Sequence, residues 1–138
     1  MKKMNWYYEI WADAIDKAEN SKSNQSHRDK MGTLLAIFSV AQGFNLVCIF
    51  FLISTLIKFN PFIAFNVFPG NYLNIALSGI VTLFVPFALL NYFLIFYKNK
   101  YKNYIAKKKL NTGGKAFMLY FVFSVLIFFL IVFLGKIL

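Results

Sequence analysis

The sequence predicts an all-α integral membrane protein, with three transmembrane helices preceded by an N-terminal amphipathic interfacial helix. Three observations carry that expectation. The 138 residues are 59% hydrophobic and 14% charged, whereas soluble domains run to about 45–50% apolar and about 25% charged. Three stretches, 33–57, 73–97 and 116–135, hold no Asp, Glu, Lys, Arg or His. The charges that remain are gathered before and between those stretches. Intrinsic disorder, a disulfide scaffold and an ordinary water-soluble enzyme are excluded by this composition.

Residues 1–32 read as a cytoplasmic amphipathic helix with a polar linker, and residues 33–138 as the transmembrane domain. From Met4 to Glu19, Tyr7, Tyr8, Ile10, Trp11, Ala14, Ile15 and Ala18 share one helical face, and Glu9, Asp13 and Asp16 the other. Asp13 and Lys17 have the i,i+4 spacing of a favourable pair. Trp6, Trp11 and the tyrosines suit a headgroup region, where a ring buries its body and keeps a polar edge wet. Yet this helix holds four acids against one lysine, whereas surface-seeking helices are usually basic. Its acidic face therefore fits a second role, docking on the lysine-rich 98–115 loop of the same or a neighbouring subunit, or on a basic partner.

The linker Asn20–Gln25 is followed by Ser26 with Asp29 three residues on, a capping-box pattern that starts the first long helix near His27. Spanning about 30 Å of hydrocarbon takes roughly 20 helical residues, and unpaired backbone in lipid is costly, so each uncharged stretch is expected to be a helix. The first is expected to be an uncleaved signal anchor. On it Ala36, Ser39, Gln42, Gly43 and Asn45 fall on one broad face. Ser39 and Gly43 allow close helix approach, while Gln42 and Asn45 can hydrogen-bond across it or line a path between subunits. Cys48, the one cysteine, can form no intrachain disulfide and reads as a packing residue.

The second span has Ser78, Gly79, Thr82 and Pro86 on one side, and Pro86 predicts a kink at Thr82. Asn91 faces another side, near the inner boundary and within reach of water. The uncharged connection from Phe59 to Tyr72, rich in Phe, is expected to lie in the outer interface. After the span, Tyr97, Tyr101, Tyr104 and Ile105 at helical spacing extend the helix to about Leu110, and Asn111-Thr112-Gly113-Gly114 supplies a left-handed stop. Tyr101, Tyr104, Lys107, Lys108 and Lys109 are candidates for the membrane interface or for partner docking. The third span is a Phe-rich wall.

Six basic residues precede the first span and seven lie in the basic 98–115 loop, against Lys58 and Lys136 elsewhere. Basic flanks stay inside, which predicts a multi-pass protein of the plasma (inner) membrane, its N-terminus cytoplasmic and its C-terminus outside. The expected partners are a bilayer with an anionic inner leaflet and either further copies of the chain or a larger membrane protein, with no nucleic acid. No nucleophile–base pair, phosphate loop or metal-ligand spacing occurs, so no catalytic residue, cofactor or metal is expected. His27, the one histidine, has no ligand cluster beside it. The interior of the spans lacks the ionisable groups of proton relays and voltage sensors. The expected function is that of a small non-enzymatic membrane subunit or scaffold. An oligomeric pore or permeabilising protein is the alternative, and a small dimeric carrier of a lipid or amphiphile a second one.

Overall fold

The computed structural model describes residues 4–58, 66–67 and 69–137, and among these helix is the sole regular structure. The first helix, α1 (Trp6–Glu19), is capped by Asn5, whose side chain accepts from Tyr7 N–H. The second, α2 (His27–Ile57), starts where the capping box placed it. Ser26 Oγ accepts from Asp29 N–H at 3.1 Å and donates to Asp29 Oδ2 at 2.7 Å. It stops at Lys58, which takes the left-handed conformation (φ 53°). Most of the Phe59–Tyr72 connection lies outside the described residues.

The next rod is less regular. Helix α3 (Asn71–Gly79) passes into a π-helical turn (Ile80–Phe84), then α4 (Val85–Asn91), then a second π turn (Tyr92–Phe96). The first π turn absorbs Pro86: the ring has no N–H to give and crowds the carbonyl four residues back, so the backbone widens there. The helix expected to run on to Leu110 breaks at Lys98 and Asn99, both left-handed (φ 54° and 55°). Helix α5 (Lys100–Lys107) restarts after the break, and Lys100 Nζ donates to the carbonyl of Phe93 at 3.1 Å. Helix α6 (Lys115–Ile137) completes the chain as described. Three helices, His27–Ile57, Asn71–Lys107 and Lys115–Ile137, are long and apolar enough to cross a membrane.

Helix α2 packs against α4 and the first π turn as well as against α6. Gly43 permits a close approach of α2 to the first π turn, since a Cβ there would stand 3.0 Å from the Leu83 carbonyl oxygen. The N-terminal helix docks on the 98–115 segment of its own chain, the second of the two roles that its acidic face fits. It is wedged among α2, α5 and the start of α6. Trp11 is 0% exposed, its ring 4.6 Å from that of Phe38, 5.4 Å from Phe96 and 5.8 Å from Phe117. The physical reason is a gap at the end of the bundle that Trp11, Ala14 and Ile15 fill with fixed side-chain contacts. Trp6 alone of the two tryptophans stays outside, 61% exposed.

Candidate functional site

Two features organise the polar chemistry of the chain. The first is a clasp between α1 and residues 108–114. Glu9 Oε2 accepts the backbone N–H groups of Lys109 (3.0 Å) and Leu110 (2.7 Å). One helical turn on, Asp13 accepts from Thr112 N–H (3.1 Å), Thr112 Oγ1 (2.6 Å) and Gly114 N–H (2.9 Å). Lys108 Nζ lies 3.5 Å from Asp13 Oδ1 and 2.6 Å from Asp16 Oδ2. Gly113 and Gly114 make this cradle possible, because their φ values of 62° and 81° let the Thr112 and Gly114 N–H groups converge on one carboxylate. They were expected to stop a helix ending near Leu110. Instead α5 ends at Lys107, and the glycines shape the loop into α6.

Asp13 is 1% exposed, so the helical face expected to be polar and outward is in part interior. Its donors make burial tolerable. Burial alone would raise the Asp13 carboxyl. The Thr112 hydroxyl, the Gly114 N–H, the Lys108 ammonium and the Thr112 N–H outweigh it and hold the group below the usual 3.8. The Asp16 hydrogen bond, against the opposing effect of burial and helped by the charges of Asp16 and Asp13, raises Lys108 above its usual 10.5. A lowered acid contributes stability above its unfolded value and loses it as pH falls through the folded one. A raised base contributes below its unfolded value and loses it as pH rises through the folded one. Docking of α1 is therefore expected to be flat from about pH 5 to about pH 9, weakening only below or beyond that window. Trp11 fluorescence in a Trp6→Phe background reports it, and a transition near pH 6–7 would contradict it.

The second feature is a pair of buried polar clusters between helices. Asn91, 0% exposed, donates to Ser39 Oγ (3.1 Å) and Gln42 Oε1 (2.7 Å), and accepts from Tyr7 Oη at 2.5 Å. It does not reach water at a boundary: its amide is saturated by α1 and α2. Burial pushes the Tyr7 phenol up to about 12, against the opposing pull of Trp11, so it remains a donor. Asn45 Nδ2 donates to Tyr120 Oη (3.0 Å) and Ser124 Oγ (3.1 Å). The broad polar face of α2 thus divides between two neighbours, Ser39 and Gln42 toward α4 and Asn45 toward α6.

The other predicted residues scatter. Ser78 is buried and donates to the Asn74 carbonyl, Thr82 is buried, and Pro86 is exposed. Tyr101 is buried with its hydroxyl 3.2 Å from His27 Nε2, and Tyr104 donates to the Leu94 carbonyl and stacks near Tyr8. Both tyrosines, expected at headgroups, turn inward because the break at Lys98 folds α5 back on α1. Lys107 and Lys109 have exposed side chains. Tyr7, Thr112, Tyr120 and Ser124 were absent from the expected site. Only the apolar stripe that includes Tyr7 and the Thr112-Gly113-Gly114 run signalled any of them. The Asp13–Lys17 pair does not form, since the loop takes the carboxylate.

Among the described residues no group of three or more His, Cys, Asp or Glu could hold a metal ion. The clasp and clusters bind helices to one another; their carboxylates and amides are engaged by donors and acceptors of the same chain. Fold and site together define an all-helical chain with three helices able to cross a membrane and an N-terminal helix locked onto their lysine-rich end. No known protein family, curated protein or solved structure matches the chain.

Proposed function

We propose that the chain is a small non-enzymatic membrane subunit or scaffold that assembles with further copies of itself or with a larger membrane complex. The observation that carries this reading is how its polar groups are used. Ser39, Gln42, Asn91 and Tyr7 hydrogen-bond among themselves, as do Asn45, Tyr120 and Ser124. What is left outward on α6 is hydrocarbon, with Leu119, Phe123, Leu126, Phe129, Leu130 and Phe133 exposed. Such surface is stable against lipid or another apolar helix and not in water. The lysine asymmetry supports an inner-membrane location with α1 and the basic segment on the cytoplasmic side.

The native mass of the full chain, extracted in mild detergent, tests the assembly. The expected result is a defined complex heavier than the 16.0 kDa chain. A lone monomer, both in detergent and in lipid nanodiscs, would overturn the reading. Collapse of membrane potential on expression, abolished by Gln42→Leu with Asn45→Leu, would install a pore in its place.

A further inference from the structure

Beside the clasp, where α1, α2 and the first turns of α6 meet, runs an open groove of about 510 Å³. Its walls are hydrocarbon: Leu34 and Ile37 from α2, Phe117, Met118 and Val122 from α6, and Ala18 from α1. Its lining also includes Lys17 and Lys115. The Lys17 stem lies across Gly114, where an added Cβ would meet its Cγ at 3.6 Å. Both lysines are exposed, and among the described residues neither is paired with a carboxylate. The volume falls within the roughly 300–1,000 Å³ of small-molecule sites.

Charge decides what fills it. The chain has five acids. Glu9, Asp13 and Asp16 are held in the clasp, Asp29 caps α2, and Glu19 lies 3.7 Å from His27. A second copy seated in the groove would cover its walls, but three of its five acids are already held in its own clasp. An amphiphile with an anionic head satisfies both parts at once. Basic pockets between membrane helices take such headgroups.

We propose that this groove is a binding site for one anionic phospholipid, an acyl chain between α2 and α6 and the headgroup phosphate between Lys17 and Lys115. The assignment rests on the membrane location proposed above. The full chain is placed in nanodiscs of equal phosphatidylcholine and phosphatidylglycerol, and native mass spectrometry counts the lipid retained on release. One retained phosphatidylglycerol per chain is expected, preferred over phosphatidylcholine. Lys17→Gln with Lys115→Gln reduces that preference about thirtyfold, and either change alone about fivefold. Lys102→Gln with Lys107→Gln, at exposed lysines outside the groove, leaves it unchanged. Val122→Trp, which fills the slot and spares the lysines, lowers retention of both lipids.

Equal retention of the two lipids by the unaltered chain, or an undiminished preference in the double variant, overturns the site. So does a chain dimer released without lipid, or displacement of the lipid by inorganic phosphate alone. Failure of the chain to enter nanodiscs at all overturns instead the membrane location, which the two measurements keep separate.

Discussion

Asp13→Ala is expected to unseat α1 and to cost about 3–5 kcal/mol, the range for removing one partner of a buried charged cluster. The magnitude follows from what is left behind. Thr112 N–H, Thr112 Oγ1 and Gly114 N–H lose their acceptor together, and Lys108 loses one of its two carboxylates. Each stranded buried donor costs about 1–3 kcal/mol. Denaturant titration in micelles followed by tryptophan fluorescence gives the stability, and limited proteolysis within α1 gives the docking. Asp13→Asn keeps the shape and one acceptor oxygen, so its loss should be intermediate. Unchanged stability and protease resistance in Asp13→Ala would show that the cradle contributes nothing.

Trp11→Ala carries the second large effect, about 3–5 kcal/mol for a fully buried aromatic. The ring touches helices on three sides through Phe38, Phe96 and Phe117, so its removal leaves a void among them. Trp6→Ala, 61% exposed, should stay within about 0.5 kcal/mol of the unaltered chain. The contrast between the two separates a helix plugged into the bundle from one resting on a leaflet, where both rings would count alike. Equal losses in the same denaturant titration would favour the leaflet.

Much of the fold is legible in the sequence. Uncharged length marks α2 and α6 because backbone in hydrocarbon has no alternative to helix, and Ser26 with Asp29 marks where α2 begins because few other patterns satisfy its first amides. The break at Lys98 and Asn99 was not legible, since neither glycine nor proline announces it; it serves tyrosines that pack once α5 turns back. The seat of α1 was hidden for a related reason. An amphipathic stripe says that Trp11 and Ile15 are to be covered, but lipid, a partner and the rest of the chain all cover hydrocarbon.

The candidate site shows the same limit more sharply. Projected at 100° per residue, Asp13 belongs to the polar face, and polarity alone cannot separate a solvated carboxylate from one saturated by a loop. Thr112-Gly113-Gly114 was legible as backbone needing positive φ, whereas its use as a cradle depends on a helix arriving from the other end of the sequence. Asn91 finds partners in two remote segments, with Tyr7 on one and Ser39 and Gln42 on the other. No local pattern contains that information.

The span in sequence between the clasp's two halves has a consequence for how the chain is made. Glu9 and Leu110 are 101 residues apart, and Asp13 and Gly114 the same. Such contacts close a loop of about a hundred residues and form after local helices do. During synthesis α1 emerges before residues 108–114 and has no seat until they have followed. Nor is the seat complete until α6 begins, because Phe117 forms part of the wall against Trp11. Helix α1 is thus made about a hundred residues before it can be fastened, and its burial marks a chain whose α6 has already begun.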